Sequence, residues 1–201
     1  MSTTLLLARH GQTVWHAENR YAGISDVALT DTGVAQAEAL GDWAAAHPVD
    51  AIWTSTLSRA VLTAAPAARA LNLTPHTEPA LRECDFGVVE GRTLAEFEAE
   101  DPGAAEAFRS DPVAHPFPEA EDPAAAATRG MAALHRIAAA HPGQRVLIVA
   151  HNTLLRLVLC RLLGIPLGEY RRVFPQLRNA AVSEIRMARG ATAFLSLNVP
   201  V

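Results

Sequence analysis

Arg145-Val146-Leu147-Ile148-Val149-Ala150, followed at once by His151-Asn152, decides how the chain folds. Its apolar residues run without alternation, the pattern of a strand covered on both faces, and such strands belong to parallel sheets lying between helices. Leu5-Leu6-Leu7-Ala8, stopped by Arg9-His10-Gly11, and Ala51-Ile52-Trp53, stopped by Thr54-Ser55, repeat the arrangement in shorter form. Helical patterns lie between them. Thr30 caps a helix starting near Asp31, with Val34, Ala37, Leu40 and Trp43 or Ala44 facing inward. Ser58–Leu71 is alanine-rich, and Pro66 is expected to bend or restart it. Ala124–Ala140 is helical, and Leu154, Leu155, Val158, Leu159 and Leu162 mark an apolar helix stopped by Gly164 and Pro166. Leu73–Thr77 fits a short edge strand, and Ser183–Met187 with Thr192–Leu197 fits a hairpin around Gly190. This order predicts an α/β fold, a three-layer α/β/α sandwich with a mostly parallel central sheet, as a single domain over residues 1–201. Residues 101–123 break the pattern with five prolines and read as a surface excursion with short helical pieces, a candidate lid.

Composition narrows the chemistry. All 17 basic residues are arginines, so Schiff-base chemistry and a phosphate-loop lysine are excluded, and arginine forks are the permanent cations available to an anionic substrate. With 21 acidic residues the net charge is -4 and no basic tract occurs, which argues against nucleic acid or an anionic membrane as partner. Cys84 and Cys160 are too few for a disulfide framework or a structural zinc site and read as small buried side chains. No apolar run reaches the ~18 residues of a membrane span. Met-Ser-Thr-Thr and four apolar residues before Arg9 lack the charged start and length of a signal peptide, so a soluble, cytoplasmic protein is expected. Monomer and homodimer both remain open.

Ligands of open α/β sheets bind beyond the carboxyl ends of the strands. Three strands here end in Arg9-His10, Thr54-Ser55 and His151-Asn152, and Arg59 follows the second. Two guanidiniums and two imidazoles facing one crevice suit a phosphate: arginines clamp its oxygens, one neutral imidazole attacks phosphorus, and a second donates to an equatorial oxygen. Asn152 and Thr153 would open the last helix and add free amide N–H groups at its positive end.

The wording of the segments goes further. Arg9-His10-Gly11-Gln12-Thr13, with Gly23 and Leu29-Thr30-Asp31-Thr32-Gly33-Val34-Ala35-Gln36-Ala37 after it, resembles the opening of the histidine phosphatase superfamily in its phosphoglycerate-mutase-like branch. Ser55-Thr56-Leu57-Ser58-Arg59-Ala60 with Thr63-Ala64 is similar to its second arginine segment. Leu81-Arg82-Glu83, Phe86-Gly87 and Glu90-Gly91 resemble its acid/base segment, and Val149-Ala150-His151 its second histidine. The matches fall in family order from about residue 5 to 160. The resemblance implies that His10 is the nucleophile, that Arg9, Arg59 and His151 form the phosphate pocket, and that Glu83 protonates the leaving oxygen and later activates water. It extends the phosphate contacts to Gly11, Gln12, Thr13, His16 and Asn152, and it implies no metal and no cofactor, with a small phosphorylated substrate as the partner. A carboxyl beside a phosphate dianion is expected to favour its protonated form, as an acid catalyst requires. Glu90 ranks below Glu83, and a surface pairing of Glu83 with Arg82 is the plain alternative.

The departures are informative. His16 stands where the family has asparagine, so that contact is expected to become pH-dependent, with Asn19 as a substitute; Asn152 stands where glycine is common. Glu119-Ala120-Glu121-Asp122 replaces a Gly-Gly-Glu-Ser stretch. Mutases of the branch are generally longer and share a tyrosine-glycine segment followed by a lysine; here Phe86 takes the tyrosine position and lysine is absent. Hydrolysis is therefore expected over phosphoryl return, with a cofactor-dependent phosphoglycerate mutase and a catalytically silent phosphate-binding regulator as alternatives. The rest of the substrate is expected to meet residues 101–123, with Arg82 or His16; of the remaining histidines His115 is the one candidate lid contact.

Overall fold

Leu5, Leu6, Leu7 and Ala8, and all of Val146–Ala150, are inaccessible to solvent. Such complete burial requires cover on both sides of each strand, and the computed structural model, which describes residues 1–188 and 190–201, shows that cover. In chain order the elements are β1 (Thr3–Arg9), α1 (Asp31–Ala46), β2 (Ala51–Thr54), α2 (Ser58–Leu71), β3 (His76–Thr77), α3 (Leu94–Glu98), α4 (Pro102–Ser110), α5 (Pro123–Ala140), β4 (Arg145–Ala150), α6 (Asn152–Leu163), α7 (Tyr170–Val173), β5 (Val182–Ala188) and β6 (Ala191–Val199). The six strands form one sheet in the order β3-β2-β4-β1-β5-β6. The first four are parallel, while β5 runs antiparallel to β1 and β6 antiparallel to β5.

Alternate side chains of the central strands feed two cores. Leu6, Ala8, Ile52, Leu147 and Val149 meet Leu40 and Ala44 of α1 and Ala60, Ala64 and Ala67 of α2. Leu5, Leu7, Val146, Ile148 and Ala150 meet Leu134 and Ile137 of α5 and Leu154, Leu157 and Val158 of α6. The three-layer sandwich is thus present, with the parallel strands delivering His10, Ser55 and His151 to one edge. Cys84 and Cys160 are free and buried, as expected. Among the described residues no helix is long and apolar enough to cross a membrane.

Three local expectations need correction. Val34 is exposed; the inward face of α1 is Gly33, Ala37, Leu40, Gly41 and Ala44, small residues that allow α2 to approach. Pro66 neither stops nor restarts α2, and it lies buried where a Cβ on Gly41 would come within 2.8 Å of its own Cβ. Residues 101–123 are not a free excursion. Phe108 and Phe117 stack with ring centroids 3.7 Å apart and build a third small core with Val89, Phe97 and Ala105.

The segment after β1 is pinned by backbone contact. A Cβ on Gly33 would lie 2.0 Å from the Gln12 carbonyl oxygen, and one on Gly11 would lie 2.6 Å from the Gly33 carbonyl oxygen. Neither neighbour is a flexible side chain that could yield. Gly33→Ala is therefore expected to destabilise the fold by about 1–3 kcal/mol, as overpacking does, and to lower activity by shifting the loop; an unchanged denaturation midpoint would contradict the contact.

Candidate active site

His10 sits at the carboxyl end of β1, 5% exposed, with its amide bonded to the Ala150 carbonyl at 3.0 Å. Its Nδ1 lies 2.7 Å from the Gly11 carbonyl oxygen. A carbonyl can only accept, so Nδ1 carries the ring proton and Nε2 keeps its lone pair. The Gly11 amide donates to Thr63 Oγ1 at 2.9 Å, and that hydroxyl donates to the Arg59 carbonyl at 2.6 Å, fixing the residue whose carbonyl orients the imidazole; the Gln12 amide, in the same peptide as that carbonyl, donates to Gln36 Oε1 at 2.8 Å. Asn179 Nδ2 donates to the His10 carbonyl at 2.7 Å from the other side.

The guanidiniums around this ring are anchored mostly by carbonyls. Arg9 donates to the Leu177 carbonyl at 2.8 Å, and its Nη2 lies 2.6 Å from His16 Nε2. His16 Nδ1 accepts from the Thr13 amide at 3.0 Å and lies 2.8 Å from Thr13 Oγ1. Arg59, fully buried, donates to the Ser25, Ala22 and Gly23 carbonyls at 2.7, 3.1 and 2.7 Å. That loop is held by Glu90, whose carboxylate accepts from the Gly23, Ile24, Ser25 and Phe86 amides and from the Ser25 hydroxyl at 2.6 Å. His151 is buried with its ring centroid 5.1 Å from that of His10. Ser55 Oγ accepts from the Leu57 amide and lies 2.6 Å from His151 Nε2. Its hydrogen can be donated there, which puts the histidine proton on Nδ1. His151 Nδ1, Arg9 Nε and Arg59 Nε are buried without a protein partner among the described residues.

Glu83 is 5% exposed. Its Oε1 accepts from the Cys84 and Leu154 amides and its Oε2 from the Thr153 amide, at 2.9, 2.8 and 2.8 Å. It thereby caps the first turn of α6. Oε2, with a single amide bond, retains a free lone pair toward the cavity. Arg129 of α5 fastens this segment: it pairs with Glu121 at 2.6 Å and donates to the Ala80, Arg82 and Glu83 carbonyls. A cavity of about 490 Å³ opens over Arg9, His10, His16, Glu83 and Asn152.

The comparisons agree with this geometry. The family model for the histidine phosphatase superfamily (branch 1) matches residues 5–200. The chain belongs to that superfamily. A Yersinia pestis protein named probable phosphoglycerate mutase GpmB is 33% identical over 179 residues, 89% of this chain and 82% of its own length. Bacillus stearothermophilus YhfR superposes with a TM-score of 0.92 at 30% identity, covering 98% of this chain and 97% of the other. Mycobacterial glucosyl-3-phosphoglycerate phosphatase superposes with a TM-score of 0.88 at 25% identity, covering 99% and 100%.

Within that family frame, Arg9, His10 and Glu83 line the cavity, while His151 beside the His10 ring and Arg59 are fully buried and do not line it; other expected contacts are placed differently. Gln12 faces α1: its amide donates to Gln36 Oε1 and its own Oε1 accepts from Thr30 at 2.9 Å. Gly11 acts on His10 through its peptide. The Thr153 amide is bonded to Glu83 and is not free for phosphate. Thr13, His16, Asn19 and Asn152 line the cavity, but both His16 nitrogens are engaged by Arg9 and Thr13. Arg82 is exposed and does not pair with Glu83; it donates to the Pro79 carbonyl. His115 is exposed, and residues 101–123 do not line the cavity, so the expected lid contact is replaced by a wall of Tyr21, Phe86, Tyr170 and Arg171. In the stretch that departs from Gly-Gly-Glu-Ser, Glu121 pairs with Arg129 and Asp122 caps α5. Glu90 and Arg129 went unrecognised as positioning residues. Glu90 had a signal in its matched segment; Arg129 had none, since the carbonyls it holds lie 46–49 positions away.

Burial sets the charge states. It is the largest cause holding His10 and His151 well below the ordinary histidine value, reinforced for His10 by Arg59 and Arg9 and for His151 by His10 and Arg59. Burial, then Arg9, takes His16 down to about 4, so it stays neutral near pH 7 and its contact does not acquire the expected pH dependence there. Burial brings Arg9 down to about 10, still protonated.

Two outcomes follow. An unfolded chain protonates these histidines near their reference pKa of ~6.5 while the folded chain does not, so it binds more protons and stability falls as pH drops below that value. The denaturation midpoint is expected to be lower at pH 5.5 than at pH 7.5; an equal midpoint would contradict neutral burial. Glu90→Ala frees the loop that seats Arg59 and is expected to lower kcat/KM on an aryl phosphate by ~10²-fold, the scale of a 1 Å misplacement. Combined with Arg59→Ala it should add little, and losses that multiply would show that Glu90 does not act through Arg59.

Proposed function

We propose that the protein hydrolyses a small phosphorylated metabolite, without a metal, through a phosphohistidine on His10 Nε2. The observation that supports this reading most directly is the Nδ1–H bond to the Gly11 carbonyl, which leaves Nε2 as the ring's nucleophilic atom. The lone pair of Nε2 attacks phosphorus as the ester P–O bond breaks. Protonated Glu83 gives its Oε2 proton to the departing alkoxide. Water then attacks the phosphoenzyme, Glu83 takes its proton, and the N–P bond breaks to release phosphate. Arg9, Arg59 and the Nδ1–H of His151 stabilise charge on the equatorial oxygens. Arginines crowd the nucleophile with positive charge, a poor setting for a catalytic cation.

Hydrolysis is favoured over mutase activity by two features. Phe86 lines the cavity where mutases of the branch have tyrosine, and the chain has no lysine. Residues 101–123 pack their aromatics into a separate core and leave the cavity accessible to water.

With p-nitrophenyl phosphate, His10→Ala is expected to reduce turnover to background and abolish an acid-labile phosphoenzyme. Glu83→Gln should cost ~10²–10⁴ in rate. Excess chelator should leave the wild type fully active. Wild-type turnover by His10→Ala would refute the covalent route, and efficient conversion of 3-phosphoglycerate to 2-phosphoglycerate would favour the mutase.

A further inference from the structure

We propose that the substrate carries a second anionic group, a carboxylate or another phosphate, held by Arg156 and Arg171 on the wall of the cavity. This rests on the phosphatase reading and adds a substrate class to it. Five charged side chains line the cavity: Arg9, Arg20, Glu83, Arg156 and Arg171. Arg20 is neutralised by Glu18 at 2.6 Å and Glu96 at 2.9 Å. Glu83 is committed to the α6 amides, and Arg9, which lines the cavity next to His10, is the guanidinium assigned above to the transferred phosphoryl group. Two guanidiniums therefore remain.

Arg156 is 7% exposed, has no hydrogen bond or ion pair among the described residues, and buries an Nε–H without a partner. Its guanidinium carbon lies 4.7 Å from the centre of the Tyr170 ring. Arg171 stacks on Phe108 at 4.5 Å and Tyr170 at 5.7 Å, and its bonds go to neutral phenols, Tyr170 at 3.1 Å and Tyr21 at 3.4 Å. Neither meets a carboxylate, unlike Arg129, which has Glu121. Burial lowers the pKa of Arg156, Tyr170 opposes that shift, and the charge of Arg171 lowers it further, a penalty that an anion would relieve. A guanidinium stacked on an aromatic face keeps its N–H edge free for two-point bonding to a planar or tetrahedral anion.

Matched pairs test this: 3-phosphoglycerate against glycerol 3-phosphate, and fructose 1,6-bisphosphate against fructose 6-phosphate, each by kcat/KM. The doubly anionic member of at least one pair is expected to be preferred by ~10²-fold, the scale of a desolvated charge pair. Preference in the first pair identifies a carboxylate, and preference in the second identifies a phosphate. Arg156→Met and, should that variant fold poorly, Arg171→Met should bring the ratio toward one. Equal rates within both pairs, or a preference that survives both substitutions, would overturn the assignment while leaving the phosphatase reading intact. Failure of wild type on every ester, phenyl phosphate included, would overturn both.

Discussion

A neutral imidazole has one nitrogen with a proton and one with a lone pair, and the 2.7 Å bond from His10 Nδ1 to the Gly11 carbonyl assigns them. Much of the surrounding fold holds the two residues that make this bond. β4 receives the His10 amide, α2 supplies the Thr63 hydroxyl, and Asn179 holds the His10 carbonyl. The first turn of α1 approaches so closely through Gly33 that the loop has no room to relax. An imidazole on a flexible loop would sample both tautomers and many orientations; here the sheet edge and two helices select one.

Positive charge is the second constraint. Arg59 is fastened by three backbone carbonyls, and Arg9 by one carbonyl and a neutral imidazole. Neutral anchors orient a guanidinium without cancelling its charge, as a carboxylate would. The cost is desolvation, visible in the lowered pKa of both groups and in the buried Nε–H atoms left without partners. Phosphate answers that electrostatic demand. Glu83, the acidic side chain lining the cavity, is held apart from both guanidiniums by the amides of α6.

The sheet and its polar strand ends were legible because strands buried on both faces must be continuously apolar, and each run stops where a buried polar side chain enters the site. Val34 and Pro66 misled for a common reason: hydrophobic periodicity counts large side chains, but α1 and α2 meet through Gly33, Gly41 and alanines. The prolines of 101–123 suggested a surface excursion serving as a lid; the short helical piece is present as α4, but Phe108 and Phe117 anchor a core. Motif position also overreached at Gln12, whose side chain turns to the α1 cap. Arg129 acts through carbonyls brought back from distant positions, and no local pattern encodes such contacts; Glu90 stood in a matched segment, but its grip on the Gly23–Ser25 loop did not show there.

Locating phosphorus on the trapped enzyme is the most direct check. After rapid acid-free quenching during turnover of an aryl phosphate, 31P–15N NMR of ring-labelled enzyme should show the phosphoryl group bonded to Nε2 of His10, with Nδ1 still protonated. A phosphoryl group on Nδ1, on another residue, or on no residue at all would contradict the role assigned to the Gly11 carbonyl.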